Sequence, residues 1–192
     1  MYGEGRNLRY IVGIGLVIVL LFVVIALIMR SGGDSKVPET KRELISYVDD
    51  SNVTVTETII GPITAAESHN EAQISITNQT ATLDVSQGFD GNVVASSTYP
   101  VTTNAFGEFL SALSRAGFTE GNTDEGLKDD RGYCPTGQRY IFEIHDGSQT
   151  IQRFWATSCG GVKTYKGNLP LTLALFEAQI PSFGDLTDNT SL

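Results

Sequence analysis

The sequence has few of the residues that bind metals or attack substrates. It contains two histidines, His69 and His145, and two cysteines, Cys134 and Cys159. A zinc site takes three or four ligands, and the interval from Cys134 to His145 matches no familiar zinc spacing. The sequence also lacks phosphate-binding loops, paired-glycine nucleotide motifs and the Gly-x-Ser-x-Gly elbow of hydrolases. We therefore predict no catalytic residue, no metal and no cofactor.

Positive charge is also scarce. The chain has 13 Lys and Arg against 22 Asp and Glu, which gives a net charge of −9. Beyond residue 30 the balance is ten basic residues against twenty-one acidic ones. Such a surface repels phosphate backbones and anionic lipid headgroups. We therefore predict that neither nucleic acid nor a lipid surface is a partner of this part of the chain.

One long apolar run contrasts with this polar composition. Residues 10–29 (YIVGIGLVIVLLFVVIALIM) carry no charge, and fifteen of the twenty are Ile, Val, Leu or Phe. A helix of this length spans about 30 Å, the thickness of the hydrocarbon core of a bilayer. The run therefore predicts a transmembrane helix in contact with the lipid bilayer. A cleaved signal peptide is the alternative, but the run is longer than a signal core and no Ala-x-Ala site follows it.

The orientation of this helix is decided by two opposing signals. Two basic residues precede the run and four follow it closely, which favours a cytoplasmic C-terminal side. A long domain behind a single N-terminal span, however, crosses the membrane largely regardless of charge. We therefore predict a signal anchor in the cell membrane, with a short cytoplasmic tail at residues 1–9 and the C-terminal domain outside the cytoplasm.

The rest of the chain divides into a linker, a domain and a tail. Glycines and Pro38 predict a joint, and Thr40 can cap a short helix, so residues 30–50 form the linker and short helix. Residues 51–185 form an extracytoplasmic α+β domain, and residues 186–192 form a flexible tail. The pattern of elements predicts an antiparallel sheet of about five strands with two or three helices packed on one face.

The strands are predicted by alternation of apolar and polar residues. Val53–Ile60 alternates in this way and ends at a Gly-Pro pair. A two-residue turn at Asn78–Gln79 places all the apolar residues of the next hairpin on one face, which a half-buried sheet requires. Its predicted opposite pairs are Ile76 with Ala81, Ile74 with Leu83, and Ala72 with Val85. The other predicted elements are strands at 92–99, 139–143 and 150–156, a helix capped by Thr103, and a helix from Leu169 to about Ile180.

Both cysteines flank a predicted hairpin whose turn is Asp146–Gly147. A two-residue turn at this point places Cys134 opposite Cys159, at a Cα separation that a disulfide can bridge. We predict a structural disulfide, with two unpaired thiols or a redox cysteine as alternatives. The same hairpin separates Cys134 from His145 by about 35 Å of extended strand, which excludes them as a nucleophile pair.

Two further features have competing interpretations. The acidic loop Asn122–Asp130 carries many oxygen ligands, but its spacing departs from that of a calcium loop and favours simple solvation. Four aromatic residues in the cysteine hairpin cannot all share one face of a sheet. They predict either core packing or an exposed aromatic patch for a partner. The four are Tyr140, Phe142, Phe154 and Trp155.

Three short motifs accompany the anchor and the joint. They are Gly132-Tyr-Cys-Pro-x-Gly137, Thr157-Ser-Cys159 and Leu175-Phe-x-x-Gln-Ile-Pro181. Together with the layout of residues 10–185, they resemble single-pass exported proteins of reduced-genome bacteria. Because no activity is assigned to those proteins, the resemblance implies nothing about sites.

These observations predict a membrane-anchored, extracytoplasmic interaction or binding module whose partner is a protein or a glycan. An envelope-acting hydrolase is one alternative, which the lack of an acid/base cluster disfavours. A structural subunit of a surface or secretion assembly is the other. Pilins carry a glutamate early in their apolar run and continue it as one long helix, whereas here Ser31-Gly-Gly33 breaks the helix.

Overall fold

The computed structural model of the chain describes residues 43–188, 190 and 192. These residues form an α+β unit around one antiparallel sheet of six strands, where the sequence predicts about five. The strand order across the sheet is β4-β3-β2-β1-β5-β6. The strands are β1 (Val53–Ile60), β2 (Asn70–Ile76), β3 (Thr80–Gln87), β4 (Asn92–Pro100), β5 (Arg139–Asp146) and β6 (Gln149–Thr157).

In the part of the chain that the structure describes, three α-helices and three short 3₁₀ helices connect and cover the strands. The α-helices are α1 (Thr103–Arg115), α2 (Leu169–Glu177) and α3 (Phe183–Thr187), and the 3₁₀ helices are Leu44–Tyr47, Ala66–Ser68 and Glu125–Leu127. The cap of α1 is Thr102 rather than the predicted Thr103, because its side chain accepts the Ala105 N–H. Helix α3 begins in the predicted domain, and its last two residues extend into the predicted flexible tail, which starts at residue 186.

The β2–β3 hairpin has the predicted register. Ala72 pairs with Val85, and the two predicted pairs closer to the turn also form. The turn is at Asn78–Gln79, and Thr77 N–H donates to Thr80 O across it at 2.8 Å. All the apolar side chains of the two strands are buried on one face.

The β5–β6 hairpin has a different register from the predicted one. Asp146 pairs with Gln149, which places the turn at Gly147–Ser148, and a bulge between Ile144 and His145 shifts the partners by one more residue. Gly147 has φ of +56°, a conformation that glycine adopts without steric cost, so it takes the first central position of the turn.

The helices pack on one face of the sheet, which we call the core face. Helix α1 buries its apolar stripe there (Phe106, Phe109, Leu110 and Leu113), and α2 contributes Phe176. The opposite face is partly covered near β6, where the Trp155 indole N–H donates to Leu127 O at 2.7 Å and the Tyr133 ring lies 4.8 Å from the Trp155 ring. The sheet therefore has two unlike faces.

The two ends of the sheet also differ. The described chain begins at one of them, the entry end, where Asn78 Nδ2 donates to Val48 O at 3.4 Å and Gly147 N–H donates to Asn52 O at 3.0 Å. We call the other end of the sheet the distal end. The eight residues of β1 separate the two ends by about 26 Å.

The predicted membrane anchor lies outside the described residues, as do the tail at 1–9 and the linker up to residue 42. Across residues 43–188 and the two described positions beyond, no helix is both long and apolar enough to cross a bilayer.

Candidate binding surface

The two cysteines form a disulfide at the distal end. Their sulfur atoms are 1.96 Å apart and their Cα atoms 5.7 Å apart. Both cysteines lie just outside β5 and β6, so the bond closes the loops at the base of the hairpin rather than joining two paired strand residues. The predicted bond is therefore present, while the predicted strand register around it is wrong.

Gly137 packs directly against this disulfide. A Cβ atom at this position would lie 2.7 Å from Cys134 Sγ, 3.1 Å from Cys159 Sγ and 2.6 Å from Ser158 Oγ. Separations under 3.0 Å require something to move. The bridge therefore depends on a residue without a side chain at position 137.

The histidines lie at opposite ends of the sheet. His145 is at the entry end of β5, and Cys134 precedes the distal end of the same strand, so the two cannot act as a nucleophile pair. His145 Nδ1 lies 3.1 Å from Thr150 Oγ1, and its Nε2 lies 3.4 Å from Glu143 Oε2. His69 is buried at the distal end, where its Nδ1 lies 2.9 Å from Pro62 O.

The acidic loop uses its last carboxylate in ion pairs. Asp130 accepts from Arg139 at 2.8 Å and from Arg153 at 2.5 Å, while its exposed neighbour Asp129 pairs with Arg131 at 2.7 Å. In the described part of the chain, no group of three or more His, Cys, Asp or Glu could hold a metal ion. The loop therefore fastens to the sheet through Asp130.

The four aromatic residues of the cysteine hairpin are all buried. Phe142 and Phe154 pair with each other on the core face, while Trp155, one residue further, points to the opposite face under the loop. The prediction that they cannot share one face is confirmed. The alternative that they form an exposed patch is wrong, because the loop and the helices cover them.

Exposed apolar side chains do occur at the distal end, and we call this set the apolar tip. Its members are large apolar residues at least half exposed: Ile63 (54%), Phe89 (59%), Val93 (54%) and Val94 (51%). Phe89 lies in the four-residue turn between β3 and β4, and Val93 and Val94 begin β4. Ile63 follows Pro62, whose carbonyl contacts His69, and the His69 ring stacks on the Phe89 ring at 4.4 Å.

The apolar tip borders negative charge and a free strand edge. Glu67 and Asp90 are exposed beside it; Glu67 O accepts from the last residue of β3, and Asp90 follows Phe89. Strand β4 is an edge of the sheet and contains no charged residue. Sequence reasoning missed Phe89, although a large aromatic residue between Gly88 and Asp90-Gly91 was a usable signal, because such turns are normally polar.

A second residue that the sequence reasoning missed is Glu57. It lies on the core face of β1, paired with Ile74 and Phe142, and it is fully buried. Within the described structure neither of its carboxyl oxygens has a hydrogen-bond partner. Burial, and then the charge of Glu177, raise the pKa of Glu57 well above its ordinary value. The sequence signal was the position of Glu57 in the alternation of β1, because Val53, Glu57 and Ile59 fall on the same face of the strand.

The chain matches no protein-family model and no curated protein. Its function is therefore inferred from the described surface and from the sequence that precedes it.

Proposed function

We propose that the chain is a membrane-anchored, extracytoplasmic binding module that docks a protein partner through the apolar tip. The observation that carries this proposal is that four large apolar side chains, each more than half exposed, lie at one end of the sheet. Exposed apolar clusters of this kind, rimmed by polar residues, are typical of protein interaction sites. The anchor is the apolar run at residues 10–29, and the resemblance to exported single-pass proteins supports the same location.

The position of the apolar tip supports a role in reaching a partner. The linker joins the domain at the entry end, beside the β2–β3 turn, as the Asn78 contact to Val48 O indicates. The apolar tip lies at the other end of β1, about 26 Å away. The apolar tip and the point where the described chain begins therefore lie at opposite ends of the sheet.

The chemistry of the tip defines the partner. Phe89 rests on the buried His69 ring, so one face of its ring is supported and the other is free to insert into an apolar socket. Glu67 and Asp90 place negative charge at the rim. We therefore expect a protein partner with an apolar pocket bordered by Lys or Arg, since complementary rim charges accelerate and orient docking.

Site-specific photo-crosslinking in intact cells tests this docking. A photoreactive phenylalanine analogue at Phe89 of the full chain is expected to capture a defined partner, and the same analogue at Leu171 is the control, because Leu171 is an exposed apolar residue of α2. With the analogue at Val93, the substitution Phe89→Ser should abolish capture. Equal crosslinking from positions 89 and 171, or unchanged capture in Phe89→Ser, would contradict the proposal.

The proposed location has its own tests. Protease added to intact cells is expected to remove the acidic domain, and protection of the domain would overturn the orientation. Thiol labelling of the protein from its native membrane should find no free cysteine before reduction, because both described cysteines are disulfide-bonded. Labelling without prior reduction would place the domain in a reducing compartment.

One observation favours the hydrolase alternative. Thr150 Oγ1, the His145 ring and a Glu143 carboxylate oxygen form a continuous row, with separations of 3.1 and 3.4 Å. A hydroxyl, a base and an orienting carboxylate are the parts of a nucleophilic site. If this row is catalytic, the full chain cleaves envelope peptides or glycans and Thr150→Val loses that activity. Cleavage by the wild type that survives in Thr150→Val would exclude the row as its source.

A further inference from the structure

We propose that a cleft beside β6 binds an extended peptide segment, which adds to the sheet as a further strand. The cleft has a volume of about 380 Å³ and lies between residues 150–154 of β6 and the wall formed by residues 122–128. This volume is in the range of small-ligand sites. The site is separate from the apolar tip and does not depend on the function proposed for it.

The chain itself shows which way the β6 edge faces. Trp155 O accepts from Thr164 N–H at 3.0 Å and from Tyr165 N–H at 2.9 Å, and Trp155 N–H donates to Thr164 Oγ1 at 2.8 Å. The N–H and C=O of Trp155 therefore point away from β5. Residues 164–165 therefore already provide hydrogen-bond partners for the outward backbone groups of Trp155, as an added strand would.

Among the described residues, no strand pairs with this edge where it continues into the cleft. Backbone groups in a strand alternate in direction, so Arg153, two residues before Trp155, also directs its N–H and C=O away from β5. The register is uninterrupted between these residues, since the bulge lies beyond Gln152. An extended peptide in the cleft can pair with Arg153, and the bulge at Ile151 ends the regular pairing before Thr150. Main-chain pairing of this kind is a general mode of peptide recognition.

The wall opposite the edge is held in place by the sheet. Arg153 Nη1 donates to Lys128 O at 2.8 Å, the Trp155 indole donates to Leu127 O at 2.7 Å, and Asn122 N–H donates to Thr164 O at 2.7 Å. A wall fixed at three points makes the cleft preformed, which lowers the ordering cost of binding.

The lining of the cleft and its shape define the occupant. Five of the ten lining residues carry hydroxyl or amide groups, three are charged and two are apolar. We therefore expect an extended peptide with mainly polar side chains. The hydroxyl and amide residues are Asn122, Thr123, Thr150, Gln152 and Thr164. A second copy of the chain fits less well, because two β6 edges would bring their two projecting walls together. Strand β4 is the other sheet edge, but no cleft wall faces it among the described residues, and it ends at Pro100, which has no N–H to donate.

A displayed library of random heptapeptides, presented to the full chain in detergent, tests the proposal. Thr123→Trp places an indole from the exposed wall into the cleft, and Ser114→Trp on α1 is the matched control. Peptides enriched on the wild type should lose about ten-fold or more in affinity on Thr123→Trp and little on Ser114→Trp. The proposal would be overturned if no peptide were enriched on the wild type relative to Thr123→Trp. It would also be overturned if the enriched peptides lost the same affinity on Thr123→Trp and on Ser114→Trp.

The pairing itself has a separate signature. Resynthesised peptides with N-methyl groups on one alternate set of amides should lose binding, while the other set should retain it, because only one set faces β6. When such a peptide is bound, the rate of hydrogen exchange of the Arg153 amide should fall by about ten-fold or more. Equal tolerance of both methylation patterns, or protection confined to β4 amides, would contradict strand addition. Phe89→Ser should leave this binding unchanged, which separates it from docking at the apolar tip.

Discussion

Two buried carboxylates on opposite faces of the same sheet show two ways to bury an acid. Asp130 has a side chain 7% exposed and lies between Arg139 and Arg153, each at hydrogen-bond distance. Glu57 is fully buried on the core face, and within the described residues its carboxyl oxygens have no hydrogen-bond partner. The desolvation of Asp130 is offset by two cations, whereas burial raises the pKa of Glu57 and so favours its neutral form.

This comparison separates two contributions to stability. Asp130 fastens the acidic loop to β5 and β6, so its charge is part of the fold. At the centre of the core, burial favours the neutral form of Glu57 over its charged form. Removing charge should therefore destabilise at one site and stabilise at the other.

The largest expected effect is at Asp130. Asp130→Ala leaves Arg139 and Arg153 near each other without their shared anion, and breaking a buried pair in this way costs about 3–5 kcal/mol. Urea unfolding, followed by fluorescence of the single tryptophan, measures the loss. An Asp130→Ala variant as stable as the wild type would show that the loop is held by its backbone contacts alone.

The disulfide is expected to contribute a similar amount. Replacing both Cys134 and Cys159 by serine opens a loop of sequence separation 25, which costs about 3–4 kcal/mol in the chain-entropy account. The same urea experiment applies. A reductant should lower the midpoint of the wild type to that of the double variant and leave the double variant unchanged; a further drop in the double variant would point to another cause.

Glu57 should make stability depend on pH. Its folded pKa is raised above its ordinary value of 4.5, so the folded state binds more protons than the unfolded chain between these two pKa values. The contribution of Glu57 to the free energy of unfolding is fully present below pH 4.5. It falls as the pH rises toward the folded pKa, by at most about 1.4 kcal/mol per pH unit. Glu57→Gln should remove this slope, so its stability relative to the wild type rises with pH.

Glu177→Gln is the matched control for Glu57. Burial raises the pKa of Glu177 too, but its side chain is only half-buried, so the variant should change the slope less. Thermal unfolding of both variants is measured between about pH 4 and pH 9, a range chosen to cover the expected titration of Glu57. The dependence of stability on pH is then compared between the two variants. A Glu57→Gln curve parallel to that of the wild type would mean that Glu57 stays neutral, or is solvated, throughout the range.

The smallest effect is expected at Asp129, next in sequence to Asp130. Hydrogen bonds from Arg131 lower the pKa of Asp129, but both side chains are largely exposed to solvent. Exposed ion pairs contribute little because water and salt screen them. Asp129→Ala should therefore unfold at the same urea concentration as the wild type, and a loss comparable to that of Asp130→Ala would remove the distinction between the two aspartates.

The sequence predicts the fold wherever one face of a strand is apolar. The bounds of β1 and the pairing of Ile74 with Leu83 follow directly, because a slip of one residue would turn every apolar side chain outward. The β5–β6 register did not follow, since both faces of that hairpin are buried and alternation no longer selects one. The glycine at 147 and the bulge before His145 then decide it.

The candidate surfaces were less predictable than the fold. The apolar tip includes Ile63 from the loop after β1 and Phe89 from the turn after β3, which lie at the same end of the sheet because β2 runs back beside β1. The β6 cleft depends on residues 164–165 folding back onto Trp155, a contact that no local pattern encodes. The sequence places Glu57, a charged residue, on the apolar face of β1. Its full burial could not be predicted, because that depends on the helices that cover this face.

The close packing of Gly137 against the disulfide makes the residue allowed at position 137 depend on Cys134 and Cys159. A methyl group there would occupy the space that the Cys134 and Cys159 sulfur atoms fill, so a chain that keeps both cysteines has no freedom at residue 137. A lineage that lost the bridge would be released from this constraint, and side chains could then accumulate at that position. The three residues are therefore expected to be inherited as a set.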